Sequence, residues 1–418
     1  MIAAGEPVHP SSIVRPREEA RAVTPLELFF DLVYVFTVSQ LAHNLFEHVD
    51  ARGMIETVVL TLAVMYAWFM TVWTSNWLDG DRQSVRLLLL GLMFASLLMS
   101  TSVSEAFGGR AGLFVTGYLS IQIGRTAFAV WAFRGHRLHM HFVNAFVWEI
   151  GTAPIWIAGI AADGDARLAI WGAAVLITYA GVIAGHPLPG RKSPFSSDSQ
   201  IYAEHLLERF RLFFLIALGE TVLTIGNAFA DQPLRADRLL VLAIAFAGAV
   251  ALWWCYFHRA EDIGLKAAAG AADASRIVGL GNYTLILMVI GIVAIAVGDE
   301  LAIVNPHDPS TLNTAILIFG GPAIFLLSQL GYMRRATGRM PRSRLVACFA
   351  LFVLAIATAP LSLLAAVAAA SATLFAVAVA DTRVDAQKSV LSRRHSLRPR
   401  PGDSMEPASR SFRNSERM

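Results

Sequence analysis

Apolar runs of membrane-spanning length recur along this chain with short polar breaks between them, and that recurrence limits the fold more than any single motif does. A helix needs about 20 mostly apolar residues to cross a hydrocarbon core about 30 Å thick. Twelve runs fit the pattern: Leu26 to Phe46, Met54 to Thr74, Ser84 to Ser104, Ala111 to Phe133, His141 to Ile160, Ala169 to Gly185, Leu206 to Phe229, Leu239 to Phe257, Ile277 to Gly298, Leu312 to Tyr332, Leu345 to Thr358 and Leu361 to Ala380. Only Pro360 interrupts the last two, and one straight helix there would be about 54 Å long, so a hairpin at Pro360 is expected. The chain reads as an all-α polytopic membrane protein of about 12 transmembrane helices. A tail at 1–24 precedes a first six-helix half at 25–200, and a second half at 201–381 precedes a basic tail at 382–418 that reads as disordered.

Composition supports this reading. Hydrophobic residues make up 56% of the 418 and charged ones 16%, against about 25% charged in soluble domains. A net charge of +3 supplies no dedicated basic domain, which argues against a nucleic-acid partner. The two cysteines, Cys255 and Cys348, lie in apolar runs and cannot build a disulfide framework or a zinc cluster. No cofactor and no metal are expected. The histidines at 136, 139 and 141 share a loop, but no carboxylate or cysteine lies close by to complete a site.

Orientation follows from positive charge, which cytoplasmic loops retain. With the amino terminus inside, the inner segments carry 25 of the 34 Lys and Arg residues and the outer loops five. The remaining four, Arg86, Arg125, Arg209 and Arg211, fall within the apolar runs. Both termini are therefore expected on the cytoplasmic face of a plasma membrane, with the first 24 residues as a short tail and the basic carboxy tail as a solvated, functionally passive one.

An ionisable group inside a bilayer costs at least about 2.5 to 3.5 kcal/mol on insertion scales, so each asks for a partner, a wet cavity or a function. In the first run Glu27 and Asp31 stand four apart on one helical face, and Gln40 and His43 follow. Pro25 suits a first turn, where Glu27 also favours the positive helix end. Asp31 sits deeper and is expected to face the bundle interior. The seventh run carries Glu208, Arg209 and Arg211, with Glu208 and Arg211 spaced to pair along the helix, and Glu220 about 18 Å beyond Glu208. Arg125 and Glu149 lie at similar depth in neighbouring antiparallel runs, which suits a structural ion pair. The tryptophans at 68, 73, 77, 253 and 254 read as an aromatic belt.

The first and seventh runs both open on Glu-x-Phe, at Glu27 and Glu208, and each is followed by a run with aromatics near its inner end. This echo divides the helices into six plus six as parallel repeats and brings Asp31 and Glu220 together at the repeat interface.

These residues resemble the bacterial low temperature requirement A (LtrA) family. The resemblance rests on Glu27-Leu-Phe-Phe-Asp31-Leu-Val-Tyr-Val-Phe36 with Gln40-Leu41, and on Trp68, Trp73, Asn76 and Asp79. It also rests on Gln122 with Arg125, the His205 to Glu220 segment, Trp253-Trp254, Ala296-Val297-Gly298 and Gly320-Gly321-Pro322. One departure is at Tyr283, which is followed by Thr284 and Leu285 where members often carry a histidine. The resemblance implies a bacterial integral membrane protein and supplies no catalytic residues.

Function then turns on the carboxylates. Glu27, Asp31, Gln40, His43, Glu208 and Glu220 are the candidates for a pathway through which a secondary transporter or channel-like permease would move a small ion or solute. Arg125, Glu149, Arg209 and Arg211 are the structural ion-pair candidates. A membrane enzyme of lipid or isoprenoid-carrier metabolism is the alternative, though no spacing resembles a metal-phosphate site, and no enzyme activity is expected. A further alternative is a scaffold whose carboxylates merely pair with arginines.

Overall fold

The structure is a computed structural model that describes residues 13–15, 23–190, 202–260, 274–338, 340–357 and 361–396. Pro360, at the expected hairpin, lies outside the described residues, as do Arg17, Arg21, Arg191, Lys192 and Lys266 of the charge count. Among the described residues twelve helices follow in order. In the first half they are α1 (Pro25–Glu47), α2 (Ala51–Ser75), α3 (Gln83–Ser100), α4 (Ala111–Ala132), α5 (His139–Ile160) and α6 (Gly164–Ile183). In the second they are α7 (Ala203–Ala230), α8 (Ala236–Cys255), α9 (Ala274–Val304), α10 (Leu312–Thr337), α11 (Arg342–Ala357) and α12 (Leu363–Ser396). A π turn at Tyr256–Ala260 extends α8, and another at Ile316–Gly320 lies inside α10.

Eleven of these are long and apolar enough to cross a membrane. The exception, α11, has 16 residues, about 24 Å at helical rise and short of a hydrocarbon core. The sequence ends the last span at Ala380 and reads the chain as disordered from 382; the backbone instead stays helical to Ser396. Asp381 on that extension is 1% exposed and paired, which gives the helix a reason to continue.

Local chemistry sets the ends. Thr24 caps α1 in a capping box with Glu27, and Pro25 occupies the first turn, where its missing N–H is not needed. Asp50 caps α2, Thr311 caps α10, and Gly338 ends α10 in the left-handed region at φ 69°. Arg167, counted from sequence among the outer-loop charges, is buried and donates to the carbonyls of Gly159, Ala162, Ala106 and Gly108. It satisfies orphan carbonyls where α5 ends.

Helix neighbours recur between the halves. In the first, α1 packs on α2 and α3, α3 on α4, α4 on α5, α5 on α6, and α6 returns to α2; the second repeats this with α7 on α8 and α9, α9 on α10, α10 on α11, α11 on α12 and α12 back on α8. The halves meet where α1 and α2 touch α7 and α9. Helices α2 and α9 are the most enclosed. Close packing there depends on glycine: a Cβ on Gly291 of α9 would lie 2.8 Å from the carbonyl oxygen of Gly321 in α10, and one on Gly321 2.9 Å from that of Gly291. Outward, Phe94, Leu176, Ile183, Phe349 and Phe352 are exposed, an apolar surface suited to lipid.

Candidate functional site

The capping box that starts α1 also aims its first carboxylate. Glu27 Oε2 accepts from the backbone nitrogen of Thr24 at 2.9 Å, which fixes the side chain at the helix mouth. One turn on, Asp31 is 0% exposed. Helix α7 presents His205 and Arg209 at the same four-residue spacing, and the two helices meet rung for rung. His205 Nε2 lies 3.4 Å from Glu27 Oε2, and Arg209 Nη2 donates to Asp31 Oδ1 at 2.5 Å. Both contacts join residues 178 apart, so α1 and α7 run parallel and in register.

Arg209 uses its whole fork. Its Nε donates to Asp31 Oδ2 at 3.3 Å, its Nη1 to Ser75 Oγ at 3.4 Å and its Nη2 to the Glu27 carbonyl at 3.3 Å, and Nη1 stands 3.7 Å from Glu27 Oε1. The guanidinium carbon sits 5.7 Å from the Phe30 ring centroid. A bidentate charge-assisted pair of this kind is the strong form of the interaction. From α2, Trp68 Nε1 donates to Asp31 Oδ1 at 2.8 Å, and its ring packs 4.3 Å from that of Phe213. The site thus holds two carboxylates, one guanidinium and one imidazole, walled by aromatics where the halves touch. With both carboxylates ionised, the guanidinium balances one of the two negative charges.

Just outside, residues 13–15 lie against the loop after α2. Arg15 N donates to the Trp77 carbonyl at 3.0 Å, Asp79 N donates to that of Ile13 at 2.9 Å, and the Arg15 guanidinium stands 5.5 Å from the Tyr202 ring centroid at the start of α7. This part of the amino-terminal segment is docked and does not trail as a tail.

Above Asp31 a polar seam joins α1 to α3 and to the turn Val103–Glu105 that follows it. Ser96 Oγ donates to Tyr34 Oη at 3.0 Å, Thr37 and Ser100 hydroxyls meet at 2.5 Å, and Ser104 Oγ donates to Gln40 Oε1 at 3.1 Å.

Two further arginines are buried with carboxylates. Arg125 on α4 pairs with Glu149 on α5, and also donates to Gln122 Oε1 at 2.6 Å and Thr126 Oγ1 at 3.2 Å. Arg344 on α11 meets Asp381 Oδ2 at 3.0 Å and donates to Gln329 Oε1 at 2.9 Å and the Cys255 carbonyl at 3.3 Å. His186, beyond the end of α6 at φ 52°, is 3% exposed. Burial, then the neighbouring His141 and Arg125, pull its pKa down to about 4, so at neutral pH it adds no charge beside the Arg125 pair.

The sequence profile of the bacterial low temperature requirement A protein (LtrA) matches residues 22–380. The chain belongs to this family. An uncharacterized protein of Rhizobium meliloti (strain 1021) is 33% identical over 329 residues, covering 77% of this chain and 79% of that relative. No solved structure matches the chain.

The LtrA positions named from sequence do not stay together. Glu27, Asp31, Trp68, His205 and Arg209 form one cluster. Gln122 and Arg125 belong to the pair inside the first half. Asp31 does not reach Glu220: its partner Arg209 precedes Glu220 by eleven residues on α7, about 16 Å. The repeat interface brings a cation to Asp31, where the sequence reading placed a second carboxylate. Arg209, grouped with the structural pairs, is the hub of the interface. His43 is exposed and pairs with Glu47 on its own helix, so it leaves the pathway set. Gln40 belongs to the seam. Glu208 is half-buried. Trp68, read as belt, is 0% exposed and serves Asp31.

Sequence reasoning also missed Asp299, left in an outer loop when the ninth span was ended at Gly298. The helix runs on to Val304 and Asp299 is 9% exposed. The apolar Leu-Ala-Ile-Val after Glu300 was the available signal. Of the loop histidines, His139 Nδ1 lies 3.1 Å from the Val130 carbonyl and His136 Nδ1 accepts from Leu138 N at 3.3 Å, so both fold the turn.

Proposed function

We propose that this LtrA-family protein is a secondary transporter for a small ion or solute, and that the Glu27–Asp31–His205–Arg209 cluster closes its pathway at one end. The observation that carries the reading is the placement of a buried, ion-paired charge cluster between two six-helix halves with the same neighbour order. Secondary transporters place sites at repeat interfaces and work by rocking one repeat against the other. A bidentate ion pair spanning that interface is a latch: it holds while dry and opens when water or a proton replaces a partner. By the positive-charge split, the latch faces the cytoplasm, with both termini on that side of the bacterial plasma membrane.

The test is flux. Purified protein in liposomes should move at least one member of a panel of small ions and solutes above empty liposomes. Replacing the latch with Asp31→Asn and Arg209→Gln together should change that flux while the protein stays folded. Flux untouched by the double variant would sink the latch.

A scaffold reading draws on one fact: Asp31 and Glu149 are both paired with arginines, as a purely structural role requires. Full rescue of a deletion strain by a chain neutral at Asp31, Glu149 and Glu220 would favour it over transport.

A further inference from the structure

The buried carboxylates of this protein are not treated alike. Asp31, Glu149 and Asp381 each meet an arginine, and Glu27 meets His205 and Arg209. Asp299 on α9 has neither an ion pair nor a side-chain hydrogen bond among the described residues, although it is 9% exposed and five residues inside its helix.

Its surroundings explain why no cation reaches it. Asn313 Nδ2 at the start of α10 donates to the Val49 carbonyl just past α1, so α1 and α9 finish at the same level. The helices packed on α9 are α1, α2, α7, α8, α10 and α12. At this end α1 offers His43 and Glu47, paired with each other, and α2 offers Arg52, paired with Glu56. At the start of α8, Asp237 pairs with His307 and Arg235, while Arg238 donates to the carbonyls of Pro233 and Val304. On α7, Glu220 is half-buried, and α10 and α12 bring no ionisable side chain before Tyr332 and Asp381. Glu300, next along α9, is half-buried.

Two other features mark the spot. Gly298, one residue before Asp299, packs against Ile318 in the π turn of α10, where a Cβ would come within 2.9 Å, and π turns recur at functional sites. Asn44 of α1, at the same end, is buried with its amide nitrogen unpartnered. The protein thus leaves a buried donor unsatisfied at the end where the unpaired Asp299 carboxyl also lies.

A carboxylate enclosed without a countercharge is costly enough that the group takes up a proton instead. We propose that Asp299 is a proton-binding site, holding a proton while enclosed between helices and releasing it when water enters from the end where α1 and α9 finish. Its use as the coupling group rests on the transport reading above; the protonation itself does not.

A hydrophobic carbodiimide tests it on the full-length protein in lipid. The reagent adds the O–H of a protonated carboxyl across its C=N bond, and the resulting O-acylisourea rearranges to a stable N-acylurea that mass spectrometry locates. At neutral pH Asp299 should be labelled at least about tenfold more than Asp31, Glu149 and Asp381. The yield should fall as the pH is raised and the carboxyl sheds its proton. Asp299→Asn, a neutral stand-in for the acid that should fold normally, should remove the label, and Glu300→Gln should keep it. No label at Asp299, or equal labelling at Asp31, overturns the proposal. Labelling as described without any solute flux leaves the proton site standing and removes the transport reading.

Discussion

The Arg125–Glu149 pair and the Arg209–Asp31 pair share one chemistry and differ in what they join. Each buries a guanidinium against a carboxylate with at most 4% exposure on either side. The first links α4 to α5, residues 24 apart on either side of a short turn, so the chain itself keeps the partners close. The second links residues 178 apart on helices from different halves, where nothing covalent holds the partners at their level. An ion pair is thus a fastening inside one half and a latch between the two. Connectivity, more than the pair itself, decides which.

The largest effects come from leaving one charge alone. Arg209→Gln strands Asp31 and Glu27 in a dry interface, and Arg125→Gln strands Glu149; each should cost about 3 to 5 kcal/mol. Unfolding in mild detergent, followed by loss of helical signal, measures it. Neutralising both partners, as Asp31→Asn with Arg209→Gln or Glu149→Gln with Arg125→Gln, should recover most of that stability. The comparison is sharpened if only the α1–α7 double variant alters flux. It breaks if the α4–α5 double variant alters flux to the same extent, because the fastening would then belong to the moving part.

Much of this architecture is legible in the sequence, because a bilayer leaves the chain little choice. Runs such as Met54 to Thr74 must be helices when no water is present to take their backbone groups, and α2 is found within a few residues of that reading. Glu27 and Asp31 share a face because four residues make nearly one turn. Partners across the halves are less legible, since register between distant helices depends on packing that no local spacing records. A depth estimate puts Glu220 near mid-membrane and says nothing about which side of α7 faces α1. His205 and Arg209 do, and their four-residue spacing repeats that of Glu27 and Asp31, a match visible in the sequence once the two helices are aligned by their starts. Trp68 was misread for a related reason: a tryptophan near a helix end is usually an interfacial anchor, and only the tertiary fold shows α2 enclosed by its neighbours.

Trp68 gives the next prediction. Trp68→Phe keeps the aromatic wall against Phe213 and deletes one donor to Asp31. A hydrogen bond to a charged group is worth about 1.5 to 3 kcal/mol, and the bidentate contact from Arg209 should hold the loss near the lower figure. The same unfolding assay reads it. If Asp31 is held by the latch, the Trp68→Phe and Arg209→Gln losses should be non-additive, because both act on one carboxylate. Additive losses would mean that Trp68 stabilises α2 by packing alone.

The smallest effect belongs to the α1–α3 seam, which lies inside one half beside the latch. Ser96→Ala deletes a donor to the buried Tyr34 hydroxyl. Side-chain hydrogen bonds between membrane helices average only about 0.6 kcal/mol, because the unfolded chain in the bilayer also finds partners. A loss near that value should appear in the unfolding assay, with flux unchanged, since the seam fastens α1 to its own half and leaves the contact with α7 alone. A flux defect from so mild a change would show that α1 shifts against α3 during turnover. The moving boundary would then run through the first half, and the latch would have to be reassigned to α1 itself.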